Sequence, residues 1–308
     1  MNITLYMSHS KRETLLSDAL TKGFRRHGLK VGRISNSEEI DPTLDLAVFV
    51  GVKSRRLYRS CIQAGVIPLL IDKGYFRNKE YYRASLGGYQ PPYLLDMRKP
   101  PDRLNKFGVL LHPRRIGGSR VIFAGSSRKY CDFHELGDVN DYARRVCAEL
   151  YFKLQGKKRI IYRPKPSWWA NHGAYENKLD GGFYHLPPHT EFSSPNELLS
   201  HLLPDAHCLV THGSNAAVDA LIAGVPVILL SKRGVSPVYD LCDHSIENVL
   251  SPRWVCNADR LAILSNLAHC QFTPAEMADG TMWSELKQWY GYKIDNKKDP
   301  SNEDIGSN

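Results

Sequence analysis

Short apolar runs alternate with amphipathic stretches along most of this chain. Residues 2 to 7 read as a strand, and Glu13 to Arg26 keep their apolar positions at helical spacing until His27-Gly28 stops them. A second strand is expected around Lys30 to Gly32. Leu44 to Val52, apolar apart from Asp45 and Gly51, reads as a buried strand, Arg55 to Ala64 as a helix closed by Gly65, and Val66 to Ile71 as a further strand. The alternation resumes with strand Arg120 to Ala124, helix Val139 to Leu154, strand Arg159 to Arg163 and a Ser-capped helix from Ser193 to Leu203. Strand Cys208 to Val210, helix Ala216 to Ala223, strand Val225 to Leu230 and helices Asp259 to His269 and Thr273 to Gly280 complete the pattern. Strands separated by helices predict parallel sheets with crossover connections, an α/β class.

The pattern breaks at Leu111-His-Pro-Arg-Arg-Ile-Gly-Gly-Ser119, a Pro, Gly and basic stretch expected to link two domains. A chain of 308 residues suits two α/β domains with separate cores. Tyr81 to Tyr93, dense in aromatic, basic and glycine residues, is expected as a loop, as is Trp168 to Gly182. The tail from Lys293 has almost no apolar residues and is expected to be disordered.

Composition narrows the class further. No apolar run approaches the ~20 residues of a membrane span, and Met1 to Met7 lacks the basic segment and cleavage site of a secretory signal, so a cytoplasmic protein is expected. The seven cysteines are scattered with no Cys-x-x-Cys pair, which argues against a zinc ribbon or a disulfide framework. The net charge of +9 favours polyanions and nucleotides as partners. Scattered Lys and Arg also serve simply to solubilise a surface.

Candidate chemistry lies at strand ends. Gly125-Ser126-Ser127-Arg128-Lys129 follows a strand directly and offers glycine, hydroxyls and cations to an anion; a helix cap at Ser126 or Ser127 is the alternative. Thr211-His-Gly-Ser-Asn215 is a turn of small or polar residues at the start of a helix, where N–H groups favour phosphate. Tyr162-Arg-Pro-Lys165 ends another strand with two cations. Asp72, after a strand of the first half, is the candidate general base, or else a turn residue or a partner of Lys73 or Arg77. His9, in a Ser-His-Ser turn, is the rival base. Lys53, Arg55, Arg56, Lys73, Tyr75, Arg77, Tyr82 and Arg83 interleave cations with aromatics as a nucleic acid with a displaced base requires. A surface loop packed on its own tyrosines accounts for the same residues. No Asp-x-Asp stands at a strand end, so no metal is expected.

Thr211-His-Gly-Ser214, followed by Asp219 and Ala220-Leu-Ile-Ala-Gly-Val-Pro-Val-Ile228, resembles the donor-binding half of GT-B glycosyltransferases. That resemblance implies two Rossmann-like domains facing a central cleft: residues 1–115 for the acceptor, 119–272 for a nucleotide sugar, and a helical segment 273–292 returning to the first domain before the tail 293–308. It implies His212, Gly213, Ser214 and Asn215 at the donor diphosphate and Asp219 at the ribose, where the family usually has Glu. It further implies Ser126, Ser127 and Lys129 against the phosphates, Arg163 and Lys165 beside the base, and a UDP-sugar donor without a required metal. Asp72-Lys-Gly-Tyr75, Tyr82-Arg-Ala-Ser85 and Ala124-Gly-Ser-Ser-Arg-Lys-Tyr130 also resemble glycosyltransferase-like proteins of bacteriophages. They imply an acceptor of 5-hydroxymethylpyrimidine in double-stranded DNA, the cytoplasm of an infected bacterial host, and a monomer or weak dimer. Three alternatives stay open: transfer to a cell-surface polysaccharide or lipid carrier, sugar-nucleotide epimerisation, and DNA binding without catalysis.

Overall fold

The computed structural model describes residues 1–8, 10–35, 37, 39–51, 55–78, 80–165, 186–194 and 196–290. It divides into two units. The first comprises Met1–Val109, Arg233–Pro237 and the chain from Leu261 onward; the second comprises Leu110–Lys232 and Val238–Arg260.

Elements of the first unit begin with β1 (Asn2–Met7), α1 (Lys11–Arg26), β2 (Lys30–Ser35), β3 (Leu46–Val50), α2 (Arg55–Gln63), β4 (Ile67–Lys73), β5 (Tyr82–Leu86) and α3 (Asp102–Lys106). The second unit contains β6 (Arg120–Ala124), α4 (Arg128–Phe133), α5 (Val139–Leu154), β7 (Arg159–Arg163), β8 (Thr190–Phe192), α6 (Leu199–Leu202), β9 (Ala206–Thr211), α7 (Ala216–Ile222) and β10 (Val227–Leu229). The boundary back to the first unit falls inside α8 (Asn257–Ala268), and β11 (Gln271–Phe272), α9 (Pro274–Ala278) and α10 (Thr281–Leu286) follow.

The first sheet has the order β11-β5-β4-β3-β1-β2, with β1 to β4 parallel and β5 antiparallel to β4. The uninterrupted apolar run of β3 is buried along its length because it lies inside the sheet, whereas edge strand β2 is largely exposed and carries Lys30 and Arg33. Ser10 starts α1: its hydroxyl accepts from the Glu13 N–H at 3.3 Å, and the Glu13 carboxylate accepts from the Ser8 N–H at 2.6 Å. α9 crosses α1 so closely that a Cβ on Gly23 would lie 1.8 Å from the Met277 carbonyl oxygen.

Two expectations about this unit change. Residues 82–86 form a strand where a loop was expected, and Arg83 to Pro91 are buried. Their polar side chains find partners within the unit, as when the Ser85 hydroxyl donates to the Gly88 carbonyl at 2.8 Å. Residues 261–272, expected in the second domain, group with the first: β11 pairs with β5, and the Asn266 amide donates to the Leu94 and Met97 carbonyls.

In the second unit all five strands are parallel, in the order β10-β9-β6-β7-β8, a Rossmann-like sheet. Val121, Phe123, Cys147, Leu150, Ile160, Cys208, Val210 and Ile228 belong to its core. The expected linker is docked on this unit. His112 N–H donates to the Ile222 carbonyl at 2.9 Å, Arg115 N–H to the Gly224 carbonyl at 2.7 Å, and Arg115 Nε to the Ala223 carbonyl at 2.9 Å. Fully buried Arg260 joins the same backbone from the other side, donating to the carbonyls of His112 and Leu221 while its guanidinium lies 4.4 Å from the centre of the Trp254 ring. The expected helix from Ser193 shortens to α6, followed by a single 3-10 turn, Leu203–Asp205. All seven cysteines are free thiols, and only Cys256 is exposed. Among the described residues no helix is long and apolar enough to cross a membrane.

Candidate functional site

The chain lays down β6, β7 and β8 in one direction across the second sheet, then returns to place β9 and β10 on the opposite side of β6. Strand order therefore reverses between β6 and β9. Loops leaving the carboxyl ends of two such strands diverge, and in open α/β sheets the crevice between them is where ligands bind. Here the diverging loops are Gly125–Ser127 and His212–Asn215, so the topology brings two separately chosen segments to one place.

One buried hydroxyl organises the junction. Thr211 donates to the Ala124 carbonyl at 2.9 Å, tying the end of β9 to the end of β6, and accepts from the Ser214 N–H at 3.3 Å, which folds the following turn. The Ser214 hydroxyl in turn accepts from the Ala216 N–H at 3.3 Å, and Asn215 starts α7 without a side-chain hydrogen bond to its first turn. On the opposite lip a Cβ at Gly125 would meet the Tyr162 ring at 2.9 Å, so packing alone demands glycine there. Ser126 is buried. Ser127 caps α4, its hydroxyl accepting from the Tyr130 N–H at 3.3 Å, and Lys129 stands exposed on that helix.

His212 is only 8% exposed. Its ring sits among Tyr130, His134 and Tyr142 at centroid distances of 5.9, 5.8 and 5.7 Å, and its Nδ1 lies 3.0 Å from the Tyr142 hydroxyl. Burial pushes the imidazole down to about 4, so it is uncharged near neutral pH. It offers an anion an N–H dipole rather than a positive charge.

Asp219, on α7, is exposed to solvent, and the protein packed around its carboxyl desolvates it enough to raise it to about 6. Arg163, by contrast, is committed to the protein: half-buried at the end of β7, it donates to the Glu197 carbonyl at 2.7 Å and reaches the Ser193 hydroxyl at 3.5 Å. Its visible work is to anchor the segment after β8. Lys165 is exposed two residues later.

In the first unit, Asp72 lies within β4 instead of beyond it, half-buried and 3.7 Å from Arg83, its opposite number on β5. Arg83 is thus its ion-pair partner in place of Lys73 or Arg77; Arg77 instead pairs with Glu80 at 4.0 Å. The Arg83 guanidinium is buried against the rings of Tyr89 and Tyr75, at 4.9 and 5.9 Å, and donates to the Tyr89 carbonyl at 3.3 Å. Tyr75 is also buried: its hydroxyl donates to Gln90 Oε1 at 2.6 Å, and its N–H donates to Gln271 Oε1 at 2.8 Å. Arg83 and Tyr75 therefore serve the interior and do not face a nucleic acid, because packing and hydrogen bonds already use their polar groups. Arg56, Lys73 and Arg77 are exposed, and Arg55 and Tyr82 partly so. His9 and Lys53 lie outside the described residues, as do Trp168 to Gly182 and the tail.

Sequence reasoning passed over His134 and Tyr142, and it named Thr211 and Tyr130 only as members of their motifs, without the bridging and ring-packing parts they play. A local signal existed for His134: it stands four residues after Tyr130 at α4, a spacing that brings the two rings to 4.3 Å, tilted at 46°.

No protein-family model and no curated protein matches the chain. Solved structures similar to it include the β-Kdo 2,4 transferase of KpsC from Thermosulfurimonas dismutans, at 14% identity and TM-score 0.43 over 87% of this chain and 98% of that one. The calicheamicin glycosyltransferase CalG4 is 13% identical at TM-score 0.33, over 96% of this chain and 99% of its own. The UDP-GlcNAc 2-epimerase of Methanocaldococcus jannaschii, in complex with UDP-GlcNAc and UDP, is 10% identical at TM-score 0.31, over 95% and 100%.

Proposed function

We propose that this protein is a glycosyltransferase that moves a sugar from a nucleotide sugar, a UDP-sugar first, to a hydroxyl acceptor. The observation that carries this reading is the meeting of Gly125–Ser127 and His212–Asn215 at the reversal of strand order in the second unit, with Asp219 in the first turn of the helix that follows.

In the transfer, the acceptor oxygen bonds to the anomeric carbon while the bond from that carbon to the diphosphate breaks. Charge then grows on the diphosphate, and preorganised N–H dipoles with a cation stabilise it best in a recess with little water. The loop after β9, uncharged His212 and exposed Lys129 are suited to that task. Asp219 accepts hydrogen bonds from the ribose hydroxyls. We assign Asp72 to taking the acceptor proton, with buried Arg83 holding its carboxylate in place.

The acceptor we infer is a polyanion, hydroxymethylated double-stranded DNA, supported by the net charge of +9 and the surface cations Arg56, Lys73 and Arg77. A 5-hydroxymethylpyrimidine inside a duplex is reached by extruding the base. The test is transfer of radiolabelled sugar from UDP- and GDP-sugars to DNA containing 5-hydroxymethylcytosine or 5-hydroxymethyluracil, beside unmodified DNA and a polysaccharide extract. Label is expected on modified DNA alone and to fall steeply with salt. Asp72→Asn is expected to lower the rate by about 10²–10⁴-fold, the range of a lost general base. Label confined to the polysaccharide extract would move the acceptor to a glycan. Conversion of the UDP-sugar without any acceptor would make the protein an epimerase.

A further inference from the structure

His212 reaches back from the loop after β9 to α4 and α5, and its ring is the only side chain of that loop placed among three other rings. Among the described residues, the Tyr142 hydroxyl is the one hydrogen-bond partner of the imidazole, at 3.0 Å from Nδ1. A neutral imidazole carries one proton, and which nitrogen holds it is set by the bond the other makes. A phenol is a far better donor than acceptor when its partner is a basic ring nitrogen.

We propose that Tyr142 is a positioning residue for anion binding: its hydroxyl donates to Nδ1 of His212 and so fixes the tautomer in which Nε2 carries the proton, ready to donate to a diphosphate oxygen. This deepens the donor-site assignment above and rests on it for the identity of the anion. Tyr142 belongs to α5, which packs on the sheet through Val146, Cys147 and Leu150, so the hydroxyl is held by a rigid element. Burial keeps the imidazole uncharged, with the carboxyl-free cluster of Tyr130, His134 and Tyr142 around it, so an N–H of fixed direction is what the site gains from the ring. A protonated histidine would hold both nitrogens as donors and would need no such partner.

The experiment reads the tautomer directly. Full-length protein labelled with nitrogen-15 at histidine is examined by long-range proton–nitrogen correlation near neutral pH, the His212 signals being those missing from a His212→Gln variant. The Nε2–H form is expected in the wild type and a mixture with Nδ1–H in Tyr142→Phe. Titration with UDP is expected to show about five- to tenfold weaker binding for Tyr142→Phe, the scale of one misdirected hydrogen bond. His212→Gln, whose amide nitrogen falls near the Nε2 position, keeps most of the affinity, and His212→Asn, whose amide falls near Nδ1, loses it. An Nδ1–H form in the wild type, or UDP affinity unchanged in Tyr142→Phe, would overturn the proposal. If the Nε2–H form depends on Tyr142 but the wild type does not bind UDP, the Tyr142 assignment is supported and the donor-site reading is what fails.

Discussion

Asp219→Ala is expected to weaken UDP binding by about 10–100-fold while leaving the fold intact. A carboxylate accepting from ribose hydroxyls makes charge-assisted hydrogen bonds, each worth about 1.5–3 kcal/mol. Because Asp219 is solvent-accessible, its truncation opens no core cavity. The raised carboxyl adds a dependence on pH. Its folded-state value, about 6, stands above the ordinary 3.8, so between those values the folded protein binds more protons than the unfolded chain. Stability through this group therefore falls as pH rises across that window and is level above it. Binding moves the opposite way, since the ionised carboxylate is the better acceptor: wild-type affinity weakens as pH drops through about 6. The ligand's phosphate titrates in the same region, so the comparison is with Asp219→Asn, which keeps the shape but cannot ionise. Calorimetric titration of the wild type and both variants at pH 5 and 7.5 reads the effect. An alanine variant that binds UDP as tightly as the wild type would remove Asp219 from the site.

Gly224→Ala is expected to cost about 2–5 kcal/mol of stability. Gly224 has φ +80°, where an L-residue pays about 1–2 kcal/mol. Its added Cβ would also lie 1.9 Å from the Pro113 carbonyl oxygen, and forcing backbone apart in a packed region costs a further ~1–3 kcal/mol. The clash strikes the segment that Arg115 and Arg260 hold against the end of α7, so those hydrogen bonds loosen with it. At roughly 2–4 °C per kcal/mol for a unit of this size, the melting temperature falls by about 4–20 °C. Gly137→Ala is the control: φ is also +80°, but nothing lies within 4 Å of the added carbon, so only the backbone term remains. Equal melting shifts for the two variants would show that the close approach at Pro113 does not matter.

The strands and helices were most legible where local signals agree. Val139 to Leu154 is helical from end to end because Asp138 caps its first turn and its apolar residues recur at helical spacing. Arg120 to Ala124 was equally clear, an apolar run placed in the centre of its sheet. β5 was hidden because Arg83 and Ser85 occupy buried positions, made tolerable by partners that only the folded unit supplies. The assignment of residues 261–272 failed for a related reason: periodicity identifies a helix and says nothing about which sheet it covers. At the candidate site, the loops could be chosen locally because glycine and hydroxyl residues follow strands. The support of His212 could not, since Tyr142 stands 70 residues earlier in the chain.

The hydrogen bond from Thr211 to Ala124 bears on how the crevice behaves when empty. The ladder that pairs Ala124 with Thr211, reinforced by this bridging oxygen, settles the spacing of the two strand ends as the sheet assembles. An arriving nucleotide then meets a gauge already set. Thr211→Val keeps the shape of the side chain and removes the bridge, leaving the backbone pairing alone to hold that gauge and freeing the Ser214 N–H from its partner.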